Sequence, residues 1–438
     1  MLLNKIYIIA LSLLFLIPEK TETIPINTRL AEQYFQEFQS ICNRDNGKLW
    51  GISLYGPMLI ADPKTHFVVA NECDKNDKLK PSGNLFMGKL PVKEGIANSF
   101  TRWSGKLWTM VMWPLYEDKY ERARLMIHES FHRIQDEIGF PHFNSSSDHL
   151  DTYEGRIWLQ LEFRALIKAL SSKGDERYHA IKDALVFRTH RRNLFTNAAS
   201  LESRLEMNEG LAEYTGIKLC GIPDSELCSY VVKKFELMKG WKTFIRTFPY
   251  LSGPAYCILL DESGTSWRRN LKPSDDLGKL IQKAYSIKIP EALKLEAESR
   301  SHNYDFETLQ KLEIKHKQEL ERLTVKYQER FIEGPVLIIP THMAEGFFNI
   351  TFKPDNLHPL GNQGIVYDTM RASSSWGILN VFDGALLTPS WEKVYVPAPI
   401  DSNTRPLSGE GWELTLNENW TLVSAVRKGD FILEKVEK

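Results

Sequence analysis

The chain has 438 residues, of which 42% are hydrophobic, 25% charged and 11% aromatic, and this is the composition of an ordinary globular protein. The balance excludes a disordered, collagen-like or low-complexity chain. Lysine and arginine number 55 against 56 aspartates and glutamates, so no overall positive charge draws the chain to nucleic acid or to an anionic membrane. The length predicts two or three domains, which can bury a core without disulfides.

The N-terminus has the pattern of a secretory signal peptide. Lys5 precedes an apolar run over residues 6–17, and polar residues follow at 18–20. Because the run is shorter than a bilayer span requires, we expect residues 1–22 to be an export signal rather than a stable membrane span. The mature chain is then expected to be secreted, periplasmic or at the cell surface. An uncleaved anchor and a buried helix are the alternatives.

Export would permit disulfides among the five cysteines. One candidate pair is Cys42 with Cys73. Another is Cys220 with Cys228, which leaves Cys257 as a free thiol. Spacing does not decide the pairing, and five reduced, buried thiols are the alternative.

Predicted elements change from strands to helices and back along the chain. Residues 28–41 favour a helix, and residues 47–116 favour strands and turns. From residue 118 to 330, apolar residues recur at three- and four-residue spacing, which predicts helices. The heavily charged stretch 290–332 is expected to form one or two exposed helices.

Short β-rich segments separated by Gly, Pro and Asn turns follow residue 335. We therefore expect an α+β protein. Residues 23–334 form a first domain with a β-rich start and a helical middle. Residues 335–438 form a small all-β, sandwich-like domain, whose role the sequence leaves open.

The motif that indicates chemistry is H-E-S-F-H at residues 128–132. His128 and His132 are four residues apart, so on a helix both imidazoles share one face and can reach one metal ion. Glu129 projects to the side, where its carboxylate can take a proton from water activated by the metal. An apolar stripe would bury the helix and place the ligands in a walled cleft: Ile127, Phe131, Ile134 and Ile138.

A tetrahedral catalytic zinc needs a third protein ligand. Glu209, in the segment N-E-G-L-A-E-Y at 208–214, is the main candidate because apolar residues surround it. Asp151 and Glu154 follow the second histidine more closely, and Glu206 lies one turn before Glu209. These three acidic residues remain open as alternatives.

The motifs H-E-x-x-H and N-E-G-x-A together resemble the gluzincins, the zinc peptidases that include the thermolysin-like and aminopeptidase-like branches. This resemblance implies a zincin-like catalytic domain in which a zinc ion is held by three residues, His128, His132 and Glu209. It also implies that Glu213, four residues further on, orients a ligand histidine. The gap between His132 and Glu209 is longer than in the best-known members, which implies an inserted helical segment.

Two further expectations come with this resemblance. The segment F-P-Y-L-S-G-P-A at residues 248–255 resembles the Tyr-x-x-Gly segment of the aminopeptidase branch, which implies that Tyr250 donates to the oxyanion. Tyr256 is the second candidate, and a packed phenol is the alternative. Zincins hold an extended substrate along an edge strand before the active-site helix. Residues 108–113 are expected to be that strand, or else a central core strand.

The expected function is an exported zinc-dependent peptidase, a hydrolase acting on a peptide or protein substrate with no nucleic-acid partner. A zinc hydrolase of a non-peptide amide or ester is one alternative, and a non-catalytic surface binding protein on a zincin scaffold is the other. Arg188, Arg191 and Arg192 are interpreted as a solvated basic face, with a clamp for a substrate carboxylate as the alternative. Cleavage specificity, endo- or exopeptidase action and oligomeric state stay open.

Overall fold

The computed structural model describes seven stretches of the chain: residues 7–10, 25–91, 94–143, 147–236, 241–341, 348–353 and 356–436. They divide into two compact units. The larger unit takes Glu22–Lys89 and Ser99–Lys315, and the smaller unit takes Met1–Thr21, Leu90–Asn98 and His316–Lys438. Helices fill the middle of the chain and β-sheets lie toward both ends, so the expected α+β class is confirmed.

Most of the expected signal peptide lies outside the described residues. Within it, Tyr7–Ala10 forms strand β1 and pairs in parallel with Phe348–Phe352 of the smaller unit. None of the helices in the described ranges is both long and apolar enough to cross a membrane. All five cysteines are free thiols, so the structure contains neither candidate disulfide.

The larger unit begins with a six-stranded sheet. Its order is β4-β5-β3-β2-β7-β6, with β2 and β7 parallel and the other neighbours antiparallel. The strands are β2 (Met58–Ala61), β3 (Phe67–Ala70), β4 (Lys80–Ser82), β5 (Leu85–Lys89), β6 (Ser99–Trp103) and β7 (Lys106–Met112).

The position of β7 decides between the two expectations for residues 108–113. The edge strand is wrong and the central core strand is confirmed, because β7 lies between β2 and β6 and is hydrogen-bonded on both sides. Trp108, Met110 and Val111 are completely buried, which explains their large apolar side chains. Strand β6 is therefore the edge strand next to the helix that carries the H-E-x-x-H motif.

Eleven helices follow or precede this sheet in the described ranges. They are α1 (Thr28–Asp45), α2 (Lys119–Ile134), α3 (Tyr153–Ser171), α4 (Gly174–Leu194), α5 (Ala198–Leu205), α6 (Leu211–Leu219), α7 (Leu227–Lys234), α8 (Pro249–Glu262), α9 (Leu277–Ala284), α10 (Leu293–Ser301) and α11 (Phe306–Gln328). A π-helical turn, Glu206–Gly210, joins α5 to α6. The charged stretch after residue 290 is helical, as expected.

The smaller unit contains two β-sheets. Their orders are β1-β9-β12-β13-β17-β16 and β10-β11-β14-β15-β8-β19-β18. The strands are β8 (Val336–Pro340), β9 (Phe348–Phe352), β10 (Leu357–Pro359), β11 (Ile365–Tyr367), β12 (Met370–Ser374), β13 (Gly377–Val381), β14 (Ala385–Leu387), β15 (Lys393–Pro397), β16 (Leu407–Gly409), β17 (Trp412–Leu416), β18 (Trp420–Ser424) and β19 (Phe431–Lys435).

The end of α11 belongs to this smaller unit, whereas the sequence predicts the second domain from residue 335. Tyr327 and Phe331 form a buried cluster with Val366 and Leu386 of the sheet. Because the end of the helical segment shares this core, the division between the units falls at His316 rather than after the helix.

Candidate metal centre

Helix α2 carries the H-E-x-x-H motif through the interior of the larger unit. Asp118 caps its N-terminus by accepting hydrogen bonds from the backbone N–H groups of Tyr120 and Glu121, both at 2.9 Å. The helix approaches α6 closely at Gly216, where a Cβ atom would lie only 2.7 Å from the carbonyl oxygen of Arg124. As a result the motif is buried, with His128 1% exposed.

Three donor atoms converge beside α2. Nε2 of His128 lies 3.2 Å from Nε2 of His132, and Oε2 of Glu209 lies 3.5 and 3.4 Å from these two nitrogens. A tetrahedral ion with ligand bonds of about 2.0–2.2 Å has its ligand atoms about 3.3–3.6 Å apart. The observed spacing is therefore close to that of a tetrahedral metal site, although it is not specific to zinc.

The outer nitrogens of both histidines face oxygen atoms. Nδ1 of His128 lies 3.0 Å from Oε2 of Glu213, and Nδ1 of His132 lies 2.8 Å from Oε1 of Gln135. Neutral rings that donate from Nδ1 keep a lone pair on Nε2, so both lone pairs are directed toward the carboxylate of Glu209. In that tautomer the two nitrogens and the carboxylate oxygen are three acceptors that face one another, an arrangement that a metal ion between them would satisfy.

The electrostatics of the cluster also favour positive charge. Burial disfavours the charged form of His128, but hydrogen bonds to Glu209 and Glu213 outweigh it and raise the pKa of His128 to about 10. Burial likewise opposes ionisation of Glu209, yet the charge of His132 and the hydrogen bonds of both histidines hold its pKa well below the usual range. The two acidic neighbours thus favour a positive charge at His128, supplied either by a proton or by a metal ion.

Glu213 lies behind His128, where the resemblance expects a residue that orients a ligand. Its Oε2 atom accepts hydrogen bonds from Nδ1 of His128 and, at 2.7 Å, from Nη1 of Arg124. Burial opposes the charge on Glu213, but the neighbouring Arg124 holds its pKa well below the usual range. Glu213 is therefore a fixed carboxylate that sets the orientation of the His128 ring.

Two further expected residues lie at the same cluster. Glu129, 2% exposed, has a carboxylate oxygen within 4.8 Å of one ring nitrogen of each histidine, so it belongs to the group of residues that could hold a metal ion. Tyr250 donates its hydroxyl proton to Oε2 of Glu209 at 2.8 Å, and its ring stacks on His128 with centroids 5.8 Å apart. Burial, and then the charge of Glu209, raise the pKa of Tyr250 well above its usual value, so the phenol stays a proton donor.

A pair of glycines explains why Glu209 and Tyr250 meet. Gly210 follows Glu209 in the π-helical turn, and Gly253 lies on α8 one turn after Tyr250. A Cβ atom on Gly253 would lie 2.3 Å from Cα of Gly210, so only glycine permits the two backbones to approach this closely. The glycines of the N-E-G-x-A and Tyr-x-x-Gly segments thus share one structural role.

The alternative third ligands have other partners. Asp151 accepts the backbone N–H of Phe244 at 2.9 Å and pairs with Arg156 at 3.3 Å. Glu154 accepts the indole N–H of Trp158 at 3.0 Å.

Glu206 pairs with Arg188, where Oε1 and Nη1 lie 2.9 Å apart, and it also accepts the hydroxyl of Ser252 at 2.7 Å. The second tyrosine candidate, Tyr256, donates to Glu162 at 2.6 Å. Both residues are engaged in an ion-pair network rather than with the two histidines.

The three arginines of α4 are not on a solvated face. Arg188 and Arg191 are 2% and 0% exposed, and they pair with buried carboxylates such as Glu162, which lies 3.2 Å from Nη1 of Arg188. Arg192 pairs with Glu202 at 2.7 Å. The interpretation as a basic surface is wrong, because these guanidinium groups are paired with carboxylates of the same chain. The sequence does not reveal this pairing, since the periodicity of one helix carries no information on its partners in other helices.

Two residues of the site were missed at the sequence level. Arg124, four residues before His128, and Gln135, three residues after His132, both contact the ligand cluster or its partners. Arg124 lies on the face of α2 that carries the histidines, and Gln135 follows directly after the end of α2, one turn beyond His132, so this spacing could have identified both.

The larger unit therefore brings together His128, Glu129, His132, Glu209 and Tyr250, with Glu213 behind the first histidine. It separates them from Asp151, Glu154, Glu206 and Tyr256. Comparison of the chain with protein-family models, with curated proteins and with solved structures finds no match.

Proposed function

We propose that this chain is an exported, zinc-dependent peptidase of the gluzincin type, with a zincin-like catalytic domain. The observation that carries the proposal is the spacing of three buried donor atoms, on His128, His132 and Glu209, which lie 3.2–3.5 Å from one another. Two imidazoles and one carboxylate form a donor set that catalytic zinc takes in peptidases, with one coordination position left open.

A zinc ion held by His128, His132 and Glu209 would supply a Lewis acid that polarises a carbonyl and lowers the pKa of a water molecule. Glu129 takes the proton of the attacking water and passes it to the leaving amine. Its support is its position, because one carboxylate oxygen lies within 4.8 Å of a ring nitrogen of each histidine and the residue is almost fully buried.

Tyr250 stabilises the negative charge that develops on the carbonyl oxygen. Its hydroxyl donates to Glu209 at 2.8 Å, so rotation about the C–O bond redirects the same proton toward an oxygen bound beside Glu209. Burial and the charge of Glu209 raise the pKa of Tyr250, which favours the protonated hydroxyl that this role requires.

Strand β6 supports a peptide as the substrate. It is an edge of its sheet, and its residue Phe100 stacks on His142 with ring centroids 4.4 Å apart. The ring of His142 lies 6.0 Å from that of His132, so the edge strand runs close to the candidate centre. An extended peptide paired with β6 passes beside these side chains.

The proposal is tested by measuring zinc content and peptide cleavage for the purified chain and for Glu129→Gln. We expect one zinc per chain in both, with cleavage of casein or a mixed peptide library reduced by about 10²–10⁴-fold in the variant. Glu137→Gln is the matched control, because it makes the same change at an exposed position just beyond α2 and leaves cleavage unchanged.

The outcomes of this experiment distinguish the proposed peptidase from the two alternative functions. A chain without stoichiometric zinc refutes the proposal, and cleavage that survives Glu129→Gln refutes the role of that residue. Zinc with ester or non-peptide amide hydrolysis and no peptide cleavage indicates the alternative hydrolase. Zinc with no hydrolysis at all indicates a binding protein.

A further inference from the structure

We infer that Gln135 and Asn208 are positioning residues that hold His132 in one tautomer and tie it to Glu209. The inference rests on the proposed metal site and deepens it. Gln135 is 0% exposed and Asn208 6% exposed. Their amides form a chain of hydrogen bonds from the loop after α2 to the second histidine.

The direction of the chain is fixed at its far end. The amide nitrogen of Asn208 lies 3.1 Å from the backbone carbonyl oxygen of Phe143 and 3.0 Å from Oε1 of Glu209. A carbonyl oxygen and a carboxylate can only accept, so the group facing both of them must be the NH₂ of Asn208. The amide oxygen of Asn208 then faces the opposite way.

The same argument fixes the direction of the next two hydrogen bonds, from Gln135 to Asn208 and from His132 to Gln135. Oδ1 of Asn208 lies 2.7 Å from the Gln135 amide, which must therefore present its NH₂ group there. Oε1 of Gln135 then faces Nδ1 of His132 at 2.8 Å and accepts a hydrogen bond from its N–H group. His132 consequently keeps its lone pair on Nε2, the nitrogen that faces Glu209.

This arrangement differs from the support of the first histidine. His128 is oriented by a charged residue, Glu213, whereas His132 depends on two neutral amides. Neutral amides orient a ring only while each keeps its own partner, since either amide can otherwise rotate by half a turn. The chain also joins two ligands on separate elements, His132 on α2 and Glu209 in the π-helical turn, without adding charge.

The test measures the zinc dissociation constant of the full chain by competition with a chromophoric chelator. Gln135→Met keeps the size of the side chain but removes the acceptor, and Asn208→Leu removes the anchor. We expect each to weaken zinc binding by about 10–100-fold. Gln135→Glu restores an acceptor for Nδ1 of His132, so we expect it to bind zinc more tightly than Gln135→Met.

The double variant tests whether the two amides act as a chain. The second substitution acts on a chain that is already broken. The total loss of zinc affinity in the double variant should therefore be smaller than the product of the two single losses. The absorption spectrum of the cobalt-substituted protein should also change in both single variants, because the orientation of a ligand ring has changed. Ser130→Ala is the matched control on α2, since the Ser130 hydroxyl donates to the carbonyl of Met126 and contacts none of these amides.

Two results overturn the inference and differ from failure of the proposed function. If the wild-type chain binds zinc and both single variants bind it within threefold of wild type, the amides do not position His132. If the losses multiply and Gln135→Glu is no better than Gln135→Met, the residues act separately. A wild-type chain that binds no zinc refutes the proposed function and this inference together. Thermal unfolding of the metal-free variants checks that they are folded. If Gln135→Met does not fold, the zinc affinities of Asn208→Leu and Gln135→Glu are sufficient to test the inference.

Discussion

Gly253→Ala tests the backbone contact that brings Glu209 to the candidate centre. The added Cβ atom would lie 2.3 Å from Cα of Gly210 and 2.9 Å from its carbonyl carbon and oxygen, where ordinary contacts begin at 3.4 Å. Helix α8 and the π-helical turn must therefore separate by about 1 Å. Tyr250 and Glu209, on the two sides of this contact, move apart with them.

The expected magnitude follows from that displacement. Forcing a methyl group into a close-packed contact costs about 1–3 kcal/mol of folding free energy. A misplacement of about 1 Å can lower the rate of a catalysed reaction by about 10²-fold. We expect Gly253→Ala to lower the midpoint of chemical unfolding, to weaken zinc binding and to reduce peptide cleavage by about that factor.

Gly210→Ala provides a graded comparison at the same contact. Its Cβ atom would lie 3.0 Å from Cα of Gly253, so the required shift is only a few tenths of an ångström. Alanine also favours a helical backbone by about 1 kcal/mol over glycine, which offsets part of the strain. The variants should therefore rank in the order wild type, Gly210→Ala, Gly253→Ala. Equal zinc affinity in all three, or the reverse order, would show that the glycine contact does not position Glu209.

Two further predictions concern stability. Arg191→Met removes a fully buried guanidinium and leaves Glu162 and Glu202 without it, so we expect a loss of about 3–5 kcal/mol in the free energy of unfolding measured in urea; a loss below about 1 kcal/mol would contradict this. Asp74 accepts hydrogen bonds from Ser104 and from three backbone N–H groups of the following loop, and these outweigh burial and hold its pKa well below the usual range. Because the folded pKa is depressed, this stabilisation is present above the unfolded pKa of about 3.9 and is lost on further acidification. The difference in unfolding free energy between wild type and Asp74→Asn should therefore shrink between about pH 5 and pH 2, and a constant difference would rule out the ionised carboxylate as its source.

Features set by local spacing were predictable from the sequence. His128 and His132 share a helix face because they are four residues apart, and the same rule places Glu213 one turn after Glu209. The α+β class followed from the change of hydrophobic period along the chain. These signals need only a few consecutive turns of one element.

Features set by distant partners were not predictable in this way. The sequence leaves residues 108–113 open between an edge and a central strand, because a strand's neighbours are chosen by the whole sheet and not by its own sequence. The charged residues Arg188 and Arg191 have a polar pattern that indicates a surface, yet carboxylates from other helices compensate their burial. The role of Gln135 likewise depends on Asn208, which lies on another element.

The carboxylate of Glu206 has a consequence for how the larger unit responds to heat. It joins Arg188 of α4 to Ser252 of α8, and it lies one turn before Glu209. The penalty for removing charged groups from water falls as temperature rises, whereas hydrophobic stabilisation levels off. On warming, the cross-linked helices around Glu206 should therefore lose less of their stability than the apolar packing elsewhere, and we expect the scaffold of Glu209 to be among the more heat-resistant parts of the unit.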